Sequence, residues 1–339
     1  QKRRGYDLRL LMPALTGYVV GNYEYTEKFL RDMRETYDDL YVENFFEHFR
    51  TVGHTFNALT YSEGAVGEVL PGDPLRYYGV SDIPMTEYWF PGPPGAQSRD
   101  AKPVKCAASA AHLYNKKQLA AEAFTQIGLT WNEHPFSVKS LMDLNYALGV
   151  NHVVFHTFSH TPQPKVYPGS SFGANIGFPL LRGQTWWRHT PSWINYVTRC
   201  QYLLQQGEYA ADVLWYLGDD LERAPKETID FPAGYQFDYI NTELLHSSLS
   251  VKDGTVRVKD GGQYRIIHLR NSSRMLLSTA KRIKALVEDG AVILGERPQA
   301  SPSLMDGPAE TAALKKIIND LWGKSAAGVK QTGRGKVYW

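Results

Sequence analysis

The sequence runs to 339 residues, 43% of them apolar, with 37 basic and 35 acidic side chains and a net charge of +2. Such a chain can bury a substantial core and has the length of two domains. Charges of both signs are interspersed, which excludes the single-sign field of a protein that binds nucleic acid or an anionic membrane.

Residues 26–52 place Phe29, Met33, Tyr37, Leu40 and Tyr41 at helical spacing, predicting one long helix capped by Thr26 and Gly53. The alternating HTFNALTYSEG that follows predicts a short strand delivering Glu63 to a loop, and DIPMTEYWF a second delivering Glu87 to the break PGPPG. VKCAASAAHLYNKK, residues 104–117, has the small residues of a helix packed closely on a sheet. LAAEAF then carries Glu122 out of a buried strand into the loop TQIGLTWNEHP. FSVKSLMDLNYALG predicts a helix with Val138, Leu141, Leu144 and Leu148 on one face and Gly149 as its stop, followed by the strand NHVVFHTFSH. Strand and helix alternate, as in an α/β layer with parallel strands.

Residues 161–183 form a long Pro/Gly-rich segment of the kind that is usually functional. Residues 184–207 predict a helix with Trp187, Ile194, Cys200 and Leu203 among its apolar positions, interrupted by Pro191 and closing a first domain at Gly207. From 211 the strands ADVLWYLG, YRIIHL and AVILG, with the helix KRIKALVEDG ended by Gly290, predict a small doubly wound unit. No GxGxxG follows these strands, so a dinucleotide is not indicated. Cys106 and Cys200 lack metal or redox spacing and read as small core residues. No apolar run is long enough to span a bilayer, and the start QKRRGYDLRL is neither a signal peptide nor a Met start, so the chain reads as cut from a longer one.

Glu63, Glu87 and Glu122 are thus expected at strand-to-loop junctions, where barrel folds present their last side chains to a ligand. Glu122 draws the most notice, because a carboxylate in an apolar setting has its pKa raised unless it is paired. Two carboxylates in one cleft with opposed environments are what glycoside hydrolysis requires. FHTFSH puts His156, Phe158 and His160 on one side of a strand, suited to contacting a substrate or a carboxylate; a zinc site would need a third ligand, and no HExxH is present. Asp219 and Asp220 read as helix-start charges. Thirteen per cent of the residues are aromatic, with eight Trp and twenty-one Tyr, which suits rings stacked on a flat ligand or an aromatic core. Of Trp186 and Trp187, one is expected in the core and one at the cleft.

RGYD at 4–7, YSEG, DIPMTEYW, AASAAHLYNKK, AEAFT, NHVVFHTFSHTPQP, QTWWRHTPSWINYVTRCQYLLQQG, ADVLWYLGDD and GERPQASPSL together span nearly the whole chain. The combination resembles glycoside hydrolase family 106, the α-L-rhamnosidases. The resemblance implies a partial TIM-like (β/α)8 barrel, residues 1–207, holding its later strands, then a doubly wound α/β domain of amidotransferase-like type, residues 208–339. It implies removal of terminal α-L-rhamnosyl residues from carbohydrate with inversion, a bound calcium whose ligands it leaves unassigned, and export of the parent protein. By motif, Glu63 would be the general acid and Glu122 the general base. Glu87 would touch sugar or calcium, and His156, His160 and Trp187 would contact the sugar.

An inverting pair stands roughly 6.5–9.5 Å apart, whereas a retaining, β-galactosidase-like pair stands about 5–5.5 Å apart, so the spacing of Glu63 and Glu122 separates those readings. A barrel shell that binds carbohydrate without catalysis is a third. Since a complete (β/α)8 barrel takes about 250 residues, residues 1–207 alone are expected to leave an open, association-prone strand edge and an inactive piece.

Overall fold

The computed structural model describes residues 3–64, 72–90, 102–163, 165, 167–173, 175–220, 232–270 and 272–339. The PGPPG break lies outside these residues. In chain order the elements are α1 (Tyr23–Tyr41), α2 (Glu47–Thr55), β1 (Tyr61–Glu63), α3 (Pro74–Val80), β2 (Ile83–Trp89), α4 (Lys102–Leu113), β3 (Ala120–Thr125), α5 (Pro135–Ala147), β4 (His152–Phe155) and α6 (Thr190–Leu204). There follow β5 (Val213–Tyr216), β6 (Phe237–Ile240), α7 (Thr242–Ser247), β7 (Leu249–Lys252), β8 (Thr255–Val258), β9 (Gln263–Tyr264), β10 (Ile266–Leu269), α8 (Leu277–Asp289), β11 (Val292–Gly295), α9 (Pro308–Leu321), β12 (Val329–Thr332) and β13 (Gly335–Tyr338). None of the described helices is long and apolar enough to cross a membrane.

The first sheet is parallel and four-stranded, in the order β1-β2-β3-β4. The second has the order β12-β13-β11-β10-β5-β6, parallel but for the β12–β13 hairpin. Numbering its parallel strands by sequence gives the flavodoxin-like order 2-1-3-4-5, with the reversal between β5 and β10. An antiparallel three-stranded sheet, β7-β8-β9, was not predicted. Its strands are two to four residues long and joined by tight turns, too short for a period-two pattern to register.

Helix α4 explains its own composition. Ala107, Ala108, Ser109, Ala110 and Ala111 are all buried, because α4 packs on β2 of the first sheet and β6 of the second. A helix covered on both sides needs small apolar side chains all round. One hydrophobic core therefore runs through both sheets. Its polar keystone is Asp238 of β6, fully buried, which accepts from Ser109 Oγ at 3.0 Å, Tyr264 Oη at 2.8 Å and His112 Nδ1 at 3.0 Å. Burial would lift its pKa, but His112 and Lys105 beside it and the hydrogen bonds hold it below the ordinary value. Asp238→Ala should cost about 3–5 kcal/mol in chemical denaturation, since removing one partner strands buried charge; an unchanged midpoint would refute that account.

The first helix departs from expectation in a way the side chains explain. Asn22, in extended conformation, accepts from Tyr25 N and starts α1. The Thr26 hydroxyl is engaged by the backbone of Val20 instead. A π-helical turn at Val42–Phe46 shifts the phase, so that Phe46 packs edge-on against Tyr77 at 4.5 Å while Tyr37 and Leu40 are exposed. Gly53 lies inside α2 rather than capping it. In α5, Leu144 is exposed and Met142 takes the buried place. Pro191 occupies the first turn of α6, where its missing N–H costs nothing, so it starts that helix rather than interrupting it.

Asp219 is not a solvated helix-start charge. It is fully buried after β5, accepting from Tyr216 Oη, Thr279 Oγ1 and the Leu276 amide at the start of α8, while its own carbonyl takes the Arg31 guanidinium of α1. It thus caps a helix almost sixty residues away, as 276 − 219 = 57 shows. Asp220 pairs with Arg274 at the surface. Both cysteines are free, and Cys106 is buried.

Candidate active site

The register of the first sheet decides which side chains meet. Glu87 stands directly beside Glu122, and Glu63 beside Met85, two residues before Glu87. Residues two apart share a face, so all three glutamates project from the same side of three adjacent strands. Only Glu63 ends its strand; Glu87 and Glu122 sit within theirs, a correction to the junctions expected. A carboxylate oxygen from each lies within 4.8 Å of the others. Glu87 is buried and the other two are partly exposed.

Crowding and burial set the electrostatics. The Glu63 carboxyl is pushed up to about 7, first by desolvation and then by the negative charges of Glu122 and Glu87. Tyr61, on the same face, has its hydroxyl pKa raised by desolvation and by Glu63 and Glu122. The main chain at Glu63 is pinned by two tyrosines of α3. The Tyr77 hydroxyl donates to the Glu63 carbonyl at 2.6 Å and the Tyr78 hydroxyl to the Gly64 carbonyl at 3.1 Å. Gly64 has to be glycine here, because a Cβ would overlap the Tyr78 hydroxyl.

Glu122 owes its partner to a bulge. Tyr88 pairs with Ala123 and Trp89 with Thr125, leaving Phe124 as an extra residue in β3 with φ +72°. Phe124 turns into the core against Tyr88, Phe155, Phe178 and Trp193. A residue three positions on would ordinarily face away from Glu122. The bulge restores the phase, and Thr125 Oγ1 donates to Glu122 Oε1 at 2.5 Å.

His156, the first residue past β4, brings Nδ1 to 3.9 Å from Glu122 Oε1, too long for a hydrogen bond but within ion-pairing reach. The edge of Phe172 lies against its ring. The alternation expected through FHTFSH is not kept: β4 ends at Phe155 and His160 is exposed in the coil beyond. Trp187 is half-buried in a single 3-10 turn. Trp186 is the indole tied into the loop after β3, donating to the Glu133 carbonyl at 3.0 Å and packing on Phe178 and Trp193.

The sequence reading missed Glu133. It is buried, and one of its oxygens takes Gln126 Nε2 at 2.6 Å, the Thr130 amide at 3.0 Å and the Thr130 hydroxyl at 2.8 Å, which clamps the loop that leaves β3. These bonds hold its pKa below the ordinary value although burial opposes them. Its one sequence cue is a Thr-x-x-Glu spacing inside a loop. For Thr125 there was none, since period-two reasoning puts it on the wrong face.

Acidic side chains gathered on the C-terminal halves of adjacent parallel strands define the carboxylate-dependent glycosidases built on (β/α) scaffolds. Comparison with known proteins makes this specific. The glycoside hydrolase family 106 model, described as alpha-L-rhamnosidase, matches residues 1–339, and the chain belongs to that family. A rhamnosidase structure from Novosphingobium sp. PP1Y is similar at a TM-score of 0.89 and 31% identity, over 99% of this chain and 32% of that one. A protein of Formosa agariphila, provisionally named a beta-glucuronidase, is 38% identical over 326 residues, covering 95% of this chain and 27% of its own length. The chain thus spans about a third or less of these relatives. Gan42B, a family 42 β-galactosidase from G. stearothermophilus, shares the fold at a TM-score of 0.56 and 11% identity.

Proposed function

We propose that this chain carries catalytic carboxylates of an exo-acting α-L-rhamnosidase, its substrate a carbohydrate ending in an α-L-rhamnosyl residue. The observation that bears most weight is the in-register cluster of Glu63, Glu87 and Glu122 in a chain of this family. Glu63, held protonated toward neutral pH by burial and by its acidic neighbours, protonates the glycosidic oxygen as the aglycone leaves. Glu122, oriented by Thr125, takes a proton from the water that attacks the anomeric carbon. His156 and His160 contact the sugar, with Trp187 at the edge of the cleft. The boundary at Gly207, between the later strands of a barrel and an amidotransferase-like domain at 208–339, belongs to the same reading.

Calcium fits this donor set. Oxygens sharing one calcium at 2.3–2.6 Å lie at most about 5 Å apart, and the three carboxylates offer oxygens within 4.8 Å of one another. Glu87, which has no proton-transfer role, would hold the ion, with Glu63 and Glu122 near enough to share its shell. Bound there, calcium would orient a sugar's vicinal hydroxyls and offset the repulsion among the carboxylates.

The same 4.8 Å favours a second reading of the stereochemistry. It is narrower than the roughly 6.5–9.5 Å of an inverting pair and close to the about 5–5.5 Å of a retaining one. The experiment is turnover of p-nitrophenyl α-L-rhamnoside by the complete protein, with and without chelator, followed by proton NMR of the first-formed sugar. Release of β-L-rhamnose, lost on chelation, is the expected result. First-formed α-L-rhamnose would transfer the mechanism to the retaining class, and no turnover of the rhamnoside would end the proposal.

A further inference from the structure

The carboxylates occupy the C-terminal halves of their strands, and the opposite ends of β3 and β4 open onto a second cleft of about 550 Å³. Its walls include His112 near the end of α4, Gly149 before β4, and Gly207 and Tyr209 on the crossing from α6 to β5. It therefore lies where the first sheet meets the second.

The wall is built from the core outward. Asp238 is fully buried and ionised, so it can only accept, and the proton of the His112–Asp238 hydrogen bond sits on Nδ1. That leaves His112 Nε2 as an acceptor on the lining side chain. The Tyr209 ring stacks on His112 at 4.3 Å between centroids, and the Lys105 ammonium lies 4.6 Å from the centre of the same ring. An aromatic face and a ring nitrogen are thus fixed in place beside an open volume.

The remaining lining is polar without being charged overall. Lys116 and Lys117 are matched by Glu208 and Asp260, and the amides of Asn115 and Gln206 add donors and acceptors together. A net-neutral wall favours a ligand without charge. Mixed donors and acceptors suit hydroxyl groups, each of which does both, and an aromatic wall suits a partly apolar ring face.

We propose that this cleft is a second carbohydrate site, binding one neutral pyranose without turning it over. It is separated from Glu122 by the length of β3, so its occupancy leaves the catalytic face open. It also bridges both sheets, so a bound sugar contacts the two at once.

Hydrogen exchange followed by mass spectrometry on the complete protein locates binding directly and does not depend on catalysis. Saturating L-rhamnose should slow exchange in peptides covering residues 145–152 and 203–211. Gly207→Trp should abolish that protection and leave the melting temperature unchanged, because a Cβ at Gly207 meets nothing within 4 Å. Glu122→Gln should leave it intact. D-glucuronate, being charged, should protect these peptides at least tenfold more weakly in midpoint concentration. Protection confined to the strands bearing Glu63, Glu87 and Glu122, protection that survives Gly207→Trp, or glucuronate equal to rhamnose would each overturn the assignment.

Discussion

Glu122→Gln should lower kcat on p-nitrophenyl α-L-rhamnoside by about 10²–10⁴-fold, the usual contribution of a positioned general base, with KM nearly unchanged. The glutamine keeps the size of the side chain and an oxygen that can accept from Thr125, so the loss reports proton transfer rather than collapse of the site. Thr125→Val should have a smaller effect of the same kind, since it removes only the orienting hydroxyl. Measuring both in the complete protein, with calcium present, checks the assignment. Wild-type turnover in Glu122→Gln would assign the base to another residue.

Glu63→Gln should have a comparably large effect that depends on the leaving group. A general acid matters most when the departing oxygen is basic, so an alkyl rhamnoside should lose about 10²–10⁴-fold and a nitrophenyl rhamnoside far less. The pH profile carries the same signature. With its pKa raised to about 7, Glu63 is protonated below that value and loses its proton above it, so kcat/KM should fall on the alkaline side at or below about pH 7. A cation beside the cluster favours the carboxylate and moves that limb to lower pH. Glu63→Gln should abolish the limb. A limb that persists in the variant would mean that another group supplies the proton.

Stability runs in the matching direction. A carboxyl whose folded pKa lies above its unfolded one is most favourable to folding below the unfolded value. Its contribution is lost as pH rises through the interval between about 4.5 and about 7. Chelated protein should therefore melt lower at pH 7.5 than at pH 5 through this site, and Glu63→Gln should narrow the difference.

How much of this could be read from the residues alone differed by feature. The three glutamates were found because each sits in or after a short β-forming run, and residue type with local period is enough for that. The all-small character of α4 was equally plain, since only a helix enclosed on both sides has use for it. What could not be read depended on partners distant in sequence. Asp219 caps α8 from another strand, Asp238 joins α4 to β6, and Glu133 is satisfied by a loop fold that no period describes. His160 was misplaced because β4 ends where the chain turns at His156, so a face that continues on paper stops in space. Alternation also failed within β3, where one added residue changes the side on which everything after it emerges.

That added residue at Phe124 makes chain length, more than side-chain identity, the guarded quantity at this point. Removing a single residue between Ala123 and Thr125 would exchange the destinations of Thr125 and Gln126, sending the hydroxyl inward and the amide out to the cleft. Glu122 would lose its orienting donor and Glu133 its clamp in the same event, with both residues still present. Chains of this family are therefore best compared across β3 by counting residues from the glutamate onward, because a one-residue gap placed there for convenience would hide a rewired site behind matching letters.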